Sequence, residues 1–342
     1  MNPSEASSSP VSDAQPAFHL VGYFSDPHAG AERELLSLAQ GLASAGSAVS
    51  LWSVVAPHPV FAQQGVRAVQ AFAGQFPRKG VLLWGGPHVP PGLWLKYGGF
   101  DRVIIQCNLA AWDRLFALIE VFREAGAPEP ELVFVSRALQ LTSGLPGRVI
   151  HSPMDIGALL RAGAARGMRQ AGPLTVGRVS RDAPDKHHPQ DPMLYRMLAA
   201  QGWRVRILGG TCLAGELEGV AGVELLPAGA EDVADFYQSL DVFFYRTGST
   251  VEAYGRVIAE AMASGLPVVV GRHGGYAEIL AGGAQGFLVN SQEEAWDALQ
   301  VLRDDASLRM RMGKAAMKQA DRLHGTAANA AAIASYKNSF TS

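Results

Sequence analysis

The sequence predicts an α/β protein built from two doubly wound domains, each with a parallel sheet. Short apolar, β-rich runs alternate with loops and helical stretches, as expected where helices join parallel strands. The 342 residues exceed what one core usually holds, so two domains are expected. An Ala-, Gly- and Arg-rich stretch at residues 156–173 separates two series of runs and is the natural linker.

The first domain is expected over residues 17–155. Its predicted strands are the apolar runs at residues 18–24, 48–55, 81–84, 102–107, 132–135 and 148–150. A turn-prone loop at residues 25–31 follows the first run and leads into a helix over residues 32–45, which ends before Gly46. Because open parallel sheets bind ligands at the carboxyl ends of their strands, this loop is a candidate binding segment.

The second domain is expected over residues 174–324. Its predicted strands are the runs at residues 174–178, 205–208, 223–226, 242–245, 267–270 and 287–289, and a helical pattern follows Ser291. Residues 1–16 are rich in Ser, Pro and Ala and lack the basic start and apolar middle of a signal peptide. We therefore expect a disordered leader there.

Composition is typical of a soluble globular chain, with 48% hydrophobic and 18% charged residues. No apolar run approaches the roughly 18 to 20 residues that a membrane span needs. A net charge of -2 argues against a nucleic-acid partner. Cys107 and Cys212 are far apart and imply neither a disulfide framework nor a thiolate metal site. We expect a cytoplasmic protein and leave open peripheral contact with the inner face of a membrane.

The most informative segment is residues 252–270, where Glu252 and Glu260 stand on either side of Gly255. A helix that starts near Gly255 leaves its first backbone N–H groups unpaired and places a positive dipole end there, which suits a diphosphate. Glu252 precedes the helix and Glu260 lies within it, so they can reach different parts of one ligand. A buried helix-to-strand unit explains the apolar residues but not the carboxylates, which are costly to bury unpartnered.

This segment resembles the E-x7-E signature of retaining glycosyltransferases with the GT-B fold, in particular glycosyltransferase family 4. The order of elements over residues 18–322 follows that family, with weaker agreement over residues 63–147. The resemblance implies two Rossmann-like domains facing each other across a cleft. The first would bind the acceptor and the second the nucleotide sugar, and a helix in residues 325–342 would cross back onto the first domain.

By this resemblance, Glu252 holds hydroxyls of the donor sugar and Glu260 holds the ribose. Residues 176–186 resemble the family's G-R-x(n)-K segment, in which Arg178 and Lys186 take the places of the cations that neutralise the donor diphosphate. Cations placed there favour the charge that grows on the leaving diphosphate over the ground state. The alternative is a solvated charged loop balanced by its own aspartates.

The remaining donor-binding positions implied by the resemblance are mostly glycines and their neighbours. The loop after the first strand keeps one glycine of the family's G-G-x-E pattern, and a later pair lies where relatives hold the nucleotide base. The full set is Gly30, Gly209, Gly210, Tyr254, Gly255, Arg256, Val257, Gly274 and Gly275. Simple turns are the alternative for such short glycine loops.

The family often carries a histidine after the strand at residues 102–107, whereas this chain has Asn108 there. Asn108 offers a hydrogen-bonding side chain but no imidazole. His28 and His88 are other candidates for the role of that histidine, and Asn108, His28 and His273 are candidates for contact with sugar or acceptor. The alternative for each is a solvated or structural loop histidine, because geometry rather than residue type identifies a base.

No metal or cofactor is expected. The chain has no D-x-D tripeptide, and its histidines lack the spacing of metal ligands. The resemblance implies that a hexose-type sugar is transferred with retention from a nucleotide-diphosphate sugar, such as a UDP- or GDP-sugar. The implied acceptor is a glycan, a lipid-linked compound or a small molecule, with polysaccharide biosynthesis as the family-level setting.

Two alternatives belong to other functional classes. A nucleotide-sugar epimerase with the GT-B fold would convert the donor with no acceptor present. A non-catalytic GT-B partner subunit would keep the fold with a degraded site, but the joint presence of Glu252, Glu260, Arg178 and Lys186 disfavours it.

Overall fold

A computed structural model describes residues 17–167, 172–280 and 282–339 of the chain. The leader expected at residues 1–16 lies outside the described residues. The strands of the first sheet are β1 (Phe18–Gly22), β2 (Val49–Ser53), β3 (Arg67–Ala68), β4 (Val81–Trp84), β5 (Arg102–Cys107), β6 (Glu131–Phe134) and β7 (Arg148–Val149). They are parallel and lie in the order β3-β2-β1-β4-β5-β6-β7.

Helices cover this first sheet. They are α1 (Gly30–Ser44), α2 (Pro59–Gln63), α3 (Trp112–Glu124) and α4 (Arg137–Ser143). In α1 the apolar residues Leu35, Leu38 and Leu42 recur at helical spacing and are buried. The predicted helix over residues 32–45 therefore forms, and it begins two residues earlier than predicted, at Gly30.

The second sheet has six parallel strands. They are β8 (Thr175–Val179), β9 (Arg204–Leu208), β10 (Val223–Leu226), β11 (Val242–Tyr245), β12 (Val268–Gly271) and β13 (Gly286–Val289). Their order is β10-β9-β8-β11-β12-β13. The helices that follow them in the chain are α6 (Asp191–Ala200), α7 (Ala214–Leu217), α8 (Val233–Ser239), α9 (Arg256–Ala263) and α10 (Gln292–Asp304).

The predicted fold class of two doubly wound α/β domains is confirmed. In each sheet the strand order reverses once, between β1 and β4 in the first and between β8 and β11 in the second. Strands β4, β5, β8, β11 and β12 are buried along their whole length, as expected where helices cover both faces of a parallel sheet. Ligands of open α/β sheets bind outside the carboxyl ends of the strands at such reversal points.

The segment expected to link the domains contains a helix, α5 (Gly157–Ala164). It packs against α8 and α9 of the second domain. A Cβ atom on Gly163 would come within 2.6 Å of the Ala263 carbonyl oxygen, so the small residue permits this close approach. The part of the linker that forms α5 is thus fixed to the second domain.

Two final helices connect the domains a second time. Helix α11 (Ala306–His324) packs on α9, and α12 (Thr326–Lys337) packs on α1 of the first domain. The Tyr336 hydroxyl donates to Gln106 Oε1 at 2.7 Å, and Arg102 Nη1 donates to the Tyr336 carbonyl oxygen at 2.6 Å. Across the described ranges, no helix has both the length and the apolar character needed to cross a membrane.

Candidate functional site

Two adjoining cavities lie where the loops after β1, β4, β8 and β11 meet. Their volumes are about 470 Å³ and about 330 Å³. The residues that line both are Gly30, Arg181, Lys186, Glu252 and Arg256. The loops come from the two reversal points, so the strand order itself accounts for the position of the cleft between the domains.

Helix α9 points its N-terminus into this cleft. Gly255 caps it with φ of 87°, a left-handed conformation that favours glycine, and no side chain accepts a hydrogen bond from the first turn. Gly255 lines the first cavity, and Val257 lines the second. The unpaired amides and the positive dipole end therefore suit an anion bound between the domains.

Glu252 lies in the loop before α9 and pairs with a cation from the loop after β8. Lys186 Nζ lies 3.0 Å from Glu252 Oε2, and the Tyr245 hydroxyl donates to the same oxygen at 2.9 Å. Burial, and next the charge of Glu252, raise the pKa of Tyr245, so this hydroxyl remains a donor. Both contacts engage Oε2, and no other hydrogen bond to this carboxylate is found in the described parts of the chain.

Glu260 is buried at the interface of the domains and does not line either cavity. The Tyr237 hydroxyl donates to its Oε2 at 3.1 Å, and Arg33 Nη2 of α1 lies 3.3 Å from its Oε1. Arg33 is 43% exposed and lines the second cavity. A ligand hydroxyl can therefore reach Glu260 only by taking the place of Arg33.

Arg178, which the resemblance places at the donor diphosphate, is fully buried and lines neither cavity. Its guanidinium lies 4.4 Å from the centre of the Tyr245 ring, and its Nη1 lies 3.4 Å from Asp191 Oδ2. Its Nη2 donates to the Lys186 carbonyl oxygen at 2.6 Å. Arg178 belongs to strand β8, and its side chain is buried in the second domain, where Asp191 and two carbonyl oxygens contact its Nη atoms while Nε has no hydrogen-bond partner among the described residues.

Arg181 lies in the loop that follows β8 and faces the cleft. It lines both cavities, its side chain is 42% exposed, and its Nη2 lies 3.5 Å from Asp185 Oδ2. The same loop was recognised from its three cations, but the pattern alone gave no reason to choose Arg181. The cations that face the cleft from this loop are thus Arg181 and Lys186.

The predicted glycines divide into two groups. Gly30 and Gly255 line the cleft, whereas Gly209, Gly210, Gly274 and Gly275 are not among the residues that line the two cavities. Gly209 has φ of 81°, and Gly275 donates its N–H to the Glu252 carbonyl oxygen at 2.9 Å. The loop that contains Gly274 and Gly275 therefore supports the loop that carries Glu252.

The remaining predicted contacts occupy different surroundings. Tyr254 and Asn108 line the first cavity, and His28 lines the second beside Gly229. Asn108 Nδ2 donates to Glu34 Oε2 at 3.0 Å and to the Gly85 carbonyl oxygen at 3.1 Å. His273 is exposed and lines neither cavity.

His88 and Tyr254 each belong to a ring cluster. His88 lines the first cavity and stacks on Tyr23, with ring centres 5.8 Å apart. Burial lowers the pKa of His88. The Tyr254 hydroxyl lies 2.5 Å from His324 Nε2, at the end of α11, and its ring centre lies 5.0 Å from that of His151. The cleft is thus tied to the segments that connect the domains.

The sequence of the second domain is similar to known glycosyltransferases. Residues 172–319 match the family described as glycosyl transferases group 1. A D-inositol 3-phosphate glycosyltransferase of Corynebacterium kroppenstedtii is 40% identical over 100 residues, which cover 29% of this chain and 22% of the relative. The corresponding protein of Corynebacterium glutamicum is 38% identical over 114 residues, or 33% and 27% of the two chains. The match spans about a quarter of the length of these curated relatives.

Solved structures are similar over nearly the whole chain. The structure of Anabaena Alr3699/HepE in complex with UDP and glucose has a TM-score of 0.72 at 16% identity, covering 94% of this chain and 99% of that one. Sucrose-phosphate synthase from Thermosynechococcus elongatus has a TM-score of 0.69 at 16% identity, covering 94% and 98%. The chain therefore has the GT-B fold, and the match to the glycosyl transferases group 1 family is confined to its second domain.

Proposed function

We propose that this chain is a retaining glycosyltransferase of family 4 that transfers a hexose-type sugar from a nucleotide-diphosphate sugar. The observation that carries the proposal is the convergence, in one cleft, of the Glu252–Lys186 pair, Arg181 and the unpaired N-terminus of α9. Two cations and oriented amides suit a diphosphate, and a half-buried carboxylate beside them suits sugar hydroxyls.

The donor diphosphate would bind against Arg181, Lys186 and the amides that follow Gly255. Charge grows on the diphosphate as its bond to the sugar breaks, so fixed positive groups favour the transition state over the bound donor. This arrangement provides the charge stabilisation without a metal ion. The nucleotide base would lie in the second cavity, next to Leu208, Ala228 and Gly229.

Glu252 would accept hydrogen bonds from the sugar, and Glu260 would accept them from the ribose after Arg33 moves away. The contacts of Lys186 and Tyr245 keep Glu252 Oε2 engaged, so we assign this carboxylate to orientation rather than to attack on the sugar. Retention then follows from attack by the acceptor on the face that the diphosphate leaves, with the departing phosphate oxygen taking the acceptor proton.

The first test is thermal unfolding of the purified protein with UDP, GDP, ADP, CDP or dTDP, with EDTA or with magnesium. A ligand at 100 times its Kd stabilises the folded state by about 2.7 kcal/mol, so a bound nucleotide is readily detected. We expect a shift with UDP or GDP that persists in EDTA. Absence of a shift with every nucleotide would contradict the donor site.

The second test separates transfer from epimerisation. The nucleotide sugar that the first test selects is incubated with and without a panel of acceptors, and the products are followed by NMR. We expect a new glycoside with the anomeric configuration of the donor, formed only with an acceptor. Conversion of the sugar nucleotide to its epimer without acceptor would identify an epimerase instead.

A further inference from the structure

The part of the first cavity that the first domain lines is acidic. Three carboxylates line it, Asp26, Glu32 and Glu34, and no lysine or arginine of the first domain does so among the described residues. Burial lowers the pKa of His88 on the same wall, and the nearby Arg114 lowers it further, which keeps the ring neutral near pH 7. We call the three carboxylates, with Tyr23, His88 and Asn108, the acidic wall.

All the cations that line this cavity come from the second domain. They are Arg181, Lys186 and Arg256. Under the function proposed above, the first two serve the diphosphate of the donor. The acidic wall itself therefore offers a second ligand only carboxylates and neutral polar groups, and Arg256 of the second domain is the remaining cation that lines the cavity in the described part of the chain.

Two carboxylates of the acidic wall already have protein partners. Gln106 Nε2 donates to Glu34 Oε1 at 2.9 Å, and the Asn108 amide and the Ser152 hydroxyl donate to Glu34 as well. Asp26 Oδ1 accepts the backbone N–H of His28 at 2.9 Å. These contacts fix the conformation of the loop at residues 25–31 and the position of Glu34 in the acidic wall.

Glu32 differs from both. It is only 5% exposed yet lines the cavity. Its carboxylate interacts with its own backbone N–H and with the charges of Arg181 and Asp26, but it has no other hydrogen-bond partner and no ion pair in the described ranges. A buried carboxylate without partners is unfavourable, so a ligand that donates hydrogen bonds to it would be stabilised.

A purely structural role does not account for Glu32. It occupies the first turn of α1, where a glutamate can complete a capping box with a Ser or Thr at the cap position. Here the cap residue is Ala29, which has no side-chain oxygen, and no side-chain cap is formed. Burial raises the pKa of Glu32, which is the expected result for a carboxyl group with too few partners.

Resting on the proposed function, we propose that the acceptor is a polyhydroxy compound that presents hydroxyl or ammonium groups to Glu32 and carries no phosphate where it meets the acidic wall. Hydroxyl and ammonium groups donate to a carboxylate, whereas a phosphate would be repelled by it. This chain would then differ from the D-inositol 3-phosphate glycosyltransferases, whose name specifies a phosphorylated acceptor.

The test uses matched pairs of acceptors that differ by one phosphate, and methyl glucoside serves as an unphosphorylated reference without a counterpart. The wild-type protein, saturated with the nucleotide diphosphate that it binds, is titrated with methyl glucoside, myo-inositol, D-myo-inositol 3-phosphate, glucose, glucose 6-phosphate, glucosamine and glucosamine 6-phosphate. We expect at least one unphosphorylated compound to bind, and each such compound to bind at least tenfold more tightly than its phosphorylated counterpart. Tighter binding of the phosphorylated compounds, or no binding of any unphosphorylated one, would overturn the inference.

A variant assigns the effect to Glu32. Glu32→Gln removes the charge at nearly constant size, and Glu124→Gln removes an exposed glutamate of α3 as the matched control. We expect Glu32→Gln to raise the acceptor KM at least tenfold, most for glucosamine, with unchanged nucleotide affinity. Equal acceptor KM values in both variants would contradict the role of Glu32.

The two proposals fail in different ways. A protein that neither binds a nucleotide nor releases it from a sugar nucleotide contradicts the proposed function and, with it, the acceptor class. A protein that does both but glycosylates only phosphorylated acceptors contradicts the acceptor class alone. The comparison of matched acceptors needs no variant, so a folding defect in Glu32→Gln would not decide the outcome.

Discussion

Asp191 lies at the centre of a buried ion cluster beneath the cleft. Arg246 contacts its Oδ1 through Nε at 2.9 Å and through Nη2 at 2.5 Å, and Arg178 contacts its Oδ2. All three side chains are at most 4% exposed. Losing one partner of a buried pair leaves charge uncompensated, which costs far more than losing an exposed pair.

We therefore predict that Arg178 and Arg181 respond oppositely to replacement by methionine. Arg178→Met should lower the free energy of unfolding by about 3 kcal/mol, because Asp191 loses a buried partner. Arg181→Met should change stability by less than about 0.5 kcal/mol and weaken nucleotide binding. Urea unfolding and nucleotide titration of both variants measure this. Unchanged nucleotide affinity in Arg181→Met would remove Arg181 from the donor site.

Glu252 should affect turnover more than nucleotide affinity. Glu252→Gln removes the charge that Lys186 pairs with and weakens the hydrogen bonds to the sugar, so we expect kcat to fall by about 100-fold or more. Nucleotide Kd should stay within a few-fold, because the free nucleotide diphosphate lacks the transferred sugar that Glu252 would hold. Steady-state kinetics and nucleotide titration separate the two. A large loss of nucleotide affinity with normal kcat would reverse the assignment.

Arg33 should compete with the ribose for Glu260. Arg33→Gln removes the ion pair that covers Glu260, so we expect nucleotide binding to stay unchanged or become tighter. Glu260→Gln should weaken nucleotide binding by about tenfold, which corresponds to about 1.4 kcal/mol. Calorimetric titration of both variants provides the test. Equal losses in the two variants would mean that the pair supports the interface and not the ribose.

At the scale of single residues, the sequence predicted which loops form the cleft better than which side chains face it. Glu252, Lys186 and Gly255 lie together there, whereas Arg178 is buried in the domain and Arg181 of the loop after β8 lines the cavity. The difference between them is the direction in which each side chain leaves the backbone, and that depends on where β8 ends. Glu32 was noticed only as part of a partial glycine motif, because its missing partners are a property of the folded chain.

At the scale of elements, the start of α9 depends on a glycine that no other residue replaces without strain. Gly255 has φ of 87°, and a Cβ atom there would lie 2.9 Å from the Tyr276 Cβ. We predict that Gly255→Ala lowers the free energy of unfolding by about 1 to 2 kcal/mol and weakens nucleotide binding, because the amides of α9 shift.

Gly46→Ala is the matched control for that substitution. Gly46 has φ of 82°, and a Cβ atom there meets nothing within 4 Å. The control therefore carries the backbone strain at a site on the far end of α1. Urea unfolding and nucleotide titration of both variants separate the effect of a strained backbone from the effect of a substitution at the start of α9. Equal nucleotide affinity in the two variants would argue that the start of α9 does not contact the ligand.

The prediction of helices and strands succeeded where a hydrophobic run was continuous. It failed where an element forms only through contacts with distant parts of the chain. Strands with continuous apolar runs, such as β4 and β5, match their predicted bounds. Strand β3 was not predicted, because it has two residues and forms only by pairing with the end of β2. The segment that forms helix α5 was expected to be part of the linker because it is rich in Ala and Gly. Its helix packs against α8 and α9, and that packing is not evident from composition.

At the scale of the whole molecule, His324 lies where the connections between the domains meet. It is 1% exposed, and burial, followed by the charges of His151 and Arg256, lowers its pKa to about 3. The unfolded chain takes up a proton on this histidine near pH 6.5, whereas the folded chain does not. Folding stability therefore falls as the pH drops from 6.5 towards 3.

We predict that His324→Gln makes the protein less sensitive to mild acid. Glutamine can still accept from the Tyr254 hydroxyl but does not titrate, so the loss of stability between pH 6.5 and pH 5 should shrink by about 2 kcal/mol. His273→Gln, at an exposed histidine, should leave the acid sensitivity unchanged. Urea unfolding across this pH range measures both. If the unfolding free energies of the wild type and His324→Gln changed in parallel with pH, the result would contradict a buried, neutral His324.

The return of α12 to the first domain has a consequence for synthesis and for recombination. Arg102 and Gln106 of β5 receive their partners from Tyr336, near the other end of the described chain. During synthesis, β5 can therefore acquire these contacts only after the second domain has been translated. A chimaera that exchanges donor domains between relatives needs two junctions, one before β8 and one between α11 and α12, because a single crossover would separate β5 from its own helix.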